Sequence, residues 1–254
     1  MLNIVFPENT GQRYYKIHFE YILKILQRLC SVTFKPTDDF IIEVNGKSFL
    51  IDYWDNPFRT IATDLPCFKF HCTEEANKLF AFTPVSFYDW DLYEKLKSEI
   101  KYLAKGHIAC RQRPYGAALS RRSYVHRLLN SKFDNVEIGQ LDYNGFLNDI
   151  NKCLVSVCVP GYCNTMCDRG QIQYMAFGCC TISPNLPEIL PFNHRIIPNE
   201  HYIQCKEDYT DLVEKINWCK KNVDKCIEIG QNAKRLFEET STPDKLIQWI
   251  TSKL

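Results

Sequence analysis

Apolar positions repeat along this chain with two periods, and the switches between them mark its elements. The run LNIVF, a polar turn containing Gly11, and YYKIHFEYILKILQRL with apolar residues at helical spacing predict strand, loop and helix. FIIEV and KSFLIDYW flank NGK, where Asn45-Gly46 is a strong hairpin signal between β-rich runs. After CFKFHC and LFAFTPVSF, a polar helix is expected over DWDLYEKLKSEIKYLAKG, closed by Gly106.

From GHIACRQRPYG onward the pattern is more regular. RRSYVHRLLNSKF predicts a helix, NVEIGQL a short strand, YNGFLNDINKC a helix and LVSVCV a buried strand. The insert PGYCNT, the helix DRGQIQYMAFG, the strand CCTIS and the loop PNLPEILPFN follow, then extended RIIP and HYIQC and the helix YTDLVEKINWCKKN. Strands alternating with helices of this length imply βαβ units and parallel sheets. With about 100 to 200 residues per domain as a prior, the 254 residues divide into two α/β domains, 1–105 and 106–254, the second ending in C-terminal helices.

Composition narrows the function classes. A net charge of +1 lacks the basic surplus of a general nucleic-acid binder. No signal-peptide pattern opens the chain, and no apolar run reaches the roughly 18 residues of a membrane span, so a cytoplasmic protein is expected. Thirteen cysteines raise the question of a metal. The sequence contains no C-x-x-C, and Cys163 and Cys167 stand four apart, so buried free thiols are the expectation and no metal is assigned.

The chemistry concentrates in VSVCVPGYCNTMCDRGQIQYMAFGCCTIS, residues 155–183. Asp168 stands where an N-cap is expected, able to accept from the amide of Gly170 or Gln171, and Gly178 follows the last periodic residue as a left-handed C-cap would. The helix between them starts beyond the carboxyl end of a strand, where unpaired amides and the helix dipole favour phosphate. Arg169 on the first turn adds a planar cation suited to a diphosphate.

This order of strand, P-G loop, helix with D-R-x-x-x-Q-Y-M-A-F-G, strand ending in S-P, R-I-I-P-N-x-H-Y-I and a helix beginning D-L-V resembles the donor-binding domain of GT-B glycosyltransferases. The exostosin-like and capsule-associated branches and the compact enzymes of large algal DNA viruses are the most similar, over residues 106–220. The resemblance implies two Rossmann-like domains facing a cleft, with an acceptor-side domain at 1–105 and a nucleotide-sugar domain at 106–254. It implies that Gly161, Asn164 and Arg169 hold the donor's phosphates and that Arg111, Arg113, Arg121 and Arg122 are further basic contacts. Where the family often carries an acidic ribose ligand, this chain offers Gln171. His201 is a further donor-side candidate.

Such an enzyme moves a sugar from a nucleotide-diphosphate donor to a hydroxyl of a glycan or glycoprotein. A UDP-sugar is favoured, a pentose such as xylose among the candidates, and no cofactor is required beyond that co-substrate. Deprotonating the acceptor requires a general base, for which Asp52 and Asp55 at a strand end are candidates, as is His71, because the unperturbed pKa of histidine lies near neutrality. Two alternatives stand beside this expectation. Asp89-Trp90-Asp91 is a D-x-D of the kind that metal-dependent GT-A enzymes use to hold Mg²⁺ or Mn²⁺, although an N-cap with acidic first-turn residues is the preferred reading, since the donor-like features lie elsewhere. The other is an α/β module that binds a nucleotide or sugar without turnover.

Overall fold

The computed structural model describes residues 3–7, 20, 22–28, 30–35, 41–52, 64–83, 90–98, 107–150, 153–161 and 167–254. It is a mixed α/β protein that divides into two compact units. The first comprises Met1–Tyr88, Glu188–Arg195 and Glu238–Leu254; the second comprises Asp89–Pro187 and Ile196–Phe237. The division therefore departs from a single cut near residue 105: a short loop that interrupts the second unit in sequence, and the last helix, which follows it, both belong to the first unit.

In the first unit, β1 (Asn3–Pro7) leads through the helical residues 22–28 (α1) to a parallel neighbour, β2 (Ser31–Lys35). β3 (Ile41–Val44) and β4 (Lys47–Asp52) form the hairpin foreseen at Asn45-Gly46, whose φ angles of 51° and 80° suit a mirror-image turn. β5 (Cys67–Phe70) and β6 (Leu79–Phe82) continue in parallel, giving the order β2-β1-β3-β4-β5-β6. This sheet is mixed rather than wholly parallel: β3 runs antiparallel to β4, as the two-residue turn requires, and also to β1. The strand β2, over SVTFK, is an element that the hydrophobic pattern does not announce, since Ser31, Thr33 and Phe34 are exposed.

Phe49, Phe68 and Phe82 are buried and meet edge to face, with centroids 5.4 and 6.0 Å from Phe68. Late segments complete this unit. β11 (Ile189–Leu190) pairs with β12 (His194–Arg195), and the Ile189 amide donates to the Cys72 carbonyl at 2.7 Å. From α8 (Pro243–Lys253), the Trp249 indole N–H donates to the Ala81 carbonyl at 2.8 Å. Ser241 and Thr83 hydroxyls pair at 2.9 Å.

The second unit opens with α2 (Trp90–Ser98) and then alternates β7 (Ile108–Cys110), α3 (Leu119–Lys132), β8 (Val136–Ile138), α4 (Tyr143–Ile150), β9 (Val155–Val157), α5 (Arg169–Ala176), β10 (Cys180–Ser183), β13 (Ile203–Gln204), α6 (Leu212–Lys221) and α7 (Val223–Thr240), of which the residues up to Phe237 belong to this unit. Its sheet is parallel throughout, in the order β8-β7-β9-β10-β13. β9 is buried at every position, as a parallel strand covered on both faces requires. Among the described residues no helix is long and apolar enough to cross a membrane.

The helix α5 sits deep in this unit, with residues 171–176 all buried. Both of its ends follow the sequence reading. Asp168 caps the start, and at the end Gly178 (φ 72°) donates to the Met175 carbonyl while Cys179 donates to that of Tyr174, each at 2.9 Å. That pair of bonds is a Schellman closure, which calls for glycine at the left-handed position. Gly230 of α7 lies directly against it: a Cβ on Gly230 would fall 2.1 Å from the Gly178 carbonyl oxygen.

Candidate functional site

Counting the second unit's strands in chain order gives 2-1-3-4-5, so connections leave β7 and β9 in opposite directions. The carboxyl ends at such a reversal form a crevice where open parallel sheets take their ligands. Here the crevice is bounded by residues 111–115 after β7 and 158–161 after β9, with the start of α5 beside them. Gln112 joins the two loops, its Oε1 accepting from the Val159 amide at 3.3 Å.

Arg122 holds this arrangement together. Its guanidinium donates from Nε and Nη2 to the Val159 carbonyl (3.1 and 2.9 Å), from Nη1 to the Arg113 carbonyl (3.0 Å) and from Nη2 to Asp168 Oδ2 (2.8 Å). It is 4% exposed. The planar fork thus ties both loops and the helix start into one rigid rim, a use of arginine that a lysine could not reproduce. On sequence alone Arg122 is a basic contact or a helix-surface residue; the structure makes it a buried brace.

The helix start is more self-contained than the sequence implies. Asp168 Oδ1 accepts from the Gly170 amide at 2.8 Å, and the Asp168 carbonyl accepts from Gln171 at 2.9 Å and Ile172 at 3.4 Å. The chain itself therefore takes up the Gly170 and Gln171 amides, which were expected to face a phosphate. What remains for an anion is the dipole together with side-chain cations.

Those cations differ in exposure and surroundings. Arg169 is exposed on the first turn of α5. Arg113 is exposed, its guanidinium 4.9 Å from the centroid of Tyr115, a ring 58% exposed at the end of the β7 loop. Arg121 donates to the carbonyls of Pro160 (3.4 Å) and Gly161 (3.2 Å) and so lies along the β9 loop. Arg111 is committed elsewhere: Nε meets Asp149 at 2.7 Å, and Nη2 meets Glu137 at 2.9 Å. Two carboxylates already neutralise it, so it makes a poor phosphate ligand.

Gly161 needs its small size neither for φ nor for packing, since a Cβ there would meet only Arg122 Nη2 at 3.7 Å and Asp168 Oδ2 at 4.0 Å. Gln171 points into the protein rather than toward a ribose: it has no exposed surface, and its Nε2 donates to Thr181 Oγ1 at 3.2 Å. His201 is likewise buried, its Nδ1 accepting from the Ile197 amide at 2.9 Å within its own turn. That bond fixes the proton on Nε2, which lies 3.5 Å from Glu200, and gives the ring a local structural role. Asn164, Asp55 and Asp89 lie outside the described residues. Asp91 is an exposed first-turn residue of α2, consistent with an acidic helix start.

In the first unit, two groups stand at the carboxyl ends of parallel strands. Asp52 is fully buried and paired with an equally buried Lys69 at 3.3 Å, which leaves it no route to an acceptor hydroxyl. His71, just past β5, has φ 58° and its Nδ1 3.5 Å from Glu188 Oε1; the two side chains are 9% and 3% exposed. A bulky residue held at positive φ marks local strain of the kind that collects at working sites. Glu188 is the partner that sequence reasoning missed. It lies 117 positions away in PNLPEILPFN, and its only signal there is being the one acidic residue among prolines.

The cysteines are mostly buried thiols; burial pushes Cys110 up to about 12 and Cys72 up to about 11. Among the described residues no cluster of His, Cys, Asp or Glu side chains is arranged to hold a metal ion. No family model matches the chain. Over 83 residues, 30% of its length, it is 31% identical to "Uncharacterized protein 179R" of Invertebrate iridescent virus 6. The chain spans 7% of the length of that viral relative.

Proposed function

We propose that the chain is a metal-independent glycosyltransferase that takes a sugar from a nucleotide-diphosphate donor, UDP-linked by preference, and transfers it to a glycan hydroxyl. One observation carries the reading: the crevice at the strand-order reversal of the second unit, braced by Arg122 and flanked by Arg113, Arg121 and Arg169. The expected two-domain GT-B arrangement belongs to this proposal. Arg169 and Arg113 neutralise the diphosphate, and the dipole of α5 supports the charge that grows on it as it departs.

His71 is the base in this reading, with Glu188 setting its ring orientation and stabilising the imidazolium that forms. The acceptor oxygen bonds to the anomeric carbon, its proton passes to His71, and the bond from that carbon to the diphosphate oxygen breaks. The leaving nucleotide diphosphate carries away the electron pair. A second reading, a binding module without turnover, is favoured by the near-complete burial of His71 and the full burial of Asp52.

Titration with UDP, with and without Arg169→Ala, tests the donor site. The substitution is expected to weaken binding about tenfold or more, whereas equal affinity would remove the site. Hydrolysis of a UDP-sugar that persists in chelator and disappears in His71→Asn supports the enzyme; UDP binding with no turnover supports the module. Loss of activity in chelator with rescue by Mn²⁺ would return the D-x-D alternative.

A further inference from the structure

Tyr209, on the turn between β13 and α6, combines two features that packing alone does not explain. Its φ is 60°, in the left-handed region that a bulky side chain enters only under constraint. The turn holds it there: the Tyr209 amide donates to the Lys206 carbonyl at 3.0 Å, and the Tyr209 carbonyl accepts from the Leu212 amide at 3.1 Å. The residue is 1% exposed, and among the described residues its hydroxyl has no hydrogen-bond partner. Buried hydroxyls are ordinarily paired, because leaving water without a replacement bond is unfavourable. A phenylalanine would fill the same space without that penalty.

The surroundings of the ring put it at the crevice. Tyr209 belongs to the second unit's core together with Cys110, Val157 and Val159. Cys110 ends β7 and Cys158 directly follows β9, the two strands at the order reversal. Burial raises the pKa of the Tyr209 hydroxyl; the Cys205, Cys110 and Cys158 thiols add to the rise and the Arg121 guanidinium opposes it. The group is therefore a neutral O–H, able to donate, within electrostatic reach of a cation and of both strand ends.

Charge at this place is not cancelled. Arg122 and Asp168 neutralise each other, whereas Arg113 has no carboxylate partner among the described residues. Arg121 reaches the Pro160 and Gly161 carbonyls at 3.4 and 3.2 Å, long for N–H···O bonds, and an anionic oxygen is a stronger acceptor than either carbonyl. A hydroxyl donor, guanidinium groups and the positive end of α5 all favour an oxygen that accepts and carries negative charge.

We propose that the Tyr209 hydroxyl is the buried donor of the crevice, bonding one phosphate oxygen of the ligand alongside Arg121. The inference deepens the donor-site reading and rests on the same crevice. On binding, Arg121 exchanges its long carbonyl bonds for the phosphate oxygen, which brings cation and phenol onto one group. The free chain is destabilised by the unpaired hydroxyl, and the ligand removes that penalty.

Tyr209→Phe separates binding from packing, since it deletes the hydroxyl and keeps the ring. Calorimetric titration of the full chain with UDP and with inorganic pyrophosphate reads affinity, and thermal melts without ligand read stability. The substitution is expected to weaken both ligands about tenfold or more and to leave the ligand-free melting temperature unchanged or higher. Equal affinity for UDP in the variant would overturn the role of the hydroxyl and leave the donor site in place. A lower ligand-free melting temperature would overturn it too, because the hydroxyl would then have a partner inside the free chain. Pyrophosphate binding that weakens in Tyr209→Phe, with no binding of UDP, would keep the phosphate contact and remove the nucleotide-sugar reading. Binding of neither ligand by the wild-type chain would overturn both.

Discussion

Replacing Asp168 tests the bracing of the crevice, because its two oxygens do separate jobs. Oδ2 receives a charge-assisted bond from Arg122 at 2.8 Å, and Oδ1 caps α5 through the Gly170 amide at 2.8 Å. The side chains are 19% and 5% exposed, so the pair is only weakly screened by solvent. Asp168→Asn keeps a capping oxygen but loses the negative charge that faces Arg122, at a cost of about 1.5–3 kcal/mol. Asp168→Ala loses the cap as well, a further contribution of about 0.5–2 kcal/mol. Together that is about 2–5 kcal/mol, or about 4–20 °C in Tm at about 2–4 °C per kcal/mol for a chain of this size. Urea unfolding followed by far-UV circular dichroism gives the ranking, with separate transitions fitted if the two units unfold separately. A double-mutant cycle with Arg122→Met isolates the pair, and a coupling of about 1.5–3 kcal/mol is expected. Additivity of the two substitutions, or an alanine variant no less stable than the asparagine one, would refute the reasoning.

Three further substitutions probe other parts of the molecule. Gly230→Ala should destabilise by about 1–3 kcal/mol or more, because its Cβ would overlap the Gly178 carbonyl. Helix propensity alone predicts stabilisation of about 1 kcal/mol, so the sign of the shift in the urea midpoint decides. Asp52→Ala should cost about 3–5 kcal/mol by stranding a buried Lys69, and Asp52→Leu combined with Lys69→Met should recover most of that. No loss in the single variant would show that the pair is not desolvated. Burial, reinforced by the charge of Arg122, lowers the pKa of His126 from 6.5. The unfolded chain then takes up this proton first as pH falls through about 6.5, so the folded state loses stability on acidification. Thermal melts from pH 7.5 to 5.5 should show a shallower decline for His126→Gln, and an unchanged slope would exclude His126 as a contributor.

What the sequence reveals here follows from the range of the interactions involved. The Asn45-Gly46 turn, the Asp168 cap and the Gly178 closure are decided within a few residues, and local pattern exposes them. The alternation in the second half likewise announces a parallel sheet before its strand order is known. The roles of the arginines are not legible in this way. Arg111 and Arg122 look equivalent in RQRPYGAALSRR, yet Arg111 finds Asp149 and Glu137 while Arg122 finds the β9 loop and Asp168, at separations of 26 to 46 residues. Gln171 fails as a ribose ligand for a related reason. Its helix is buried all round, so periodicity does not reveal which face meets Thr181.

The interleaving of the two units sets an order of events during synthesis. The ribosome emits the strands of the first sheet early, but β6 receives the Trp249 indole bond only after a further 168 residues. The second unit, by contrast, has every strand and helix of its own before the final segment exists. Although folding during translation usually proceeds from the N-terminus, here the later unit is in a position to consolidate first. The early sheet would wait as an incomplete, partly open surface until α8 arrives, a stage at which chaperone binding or misassembly has its best opportunity.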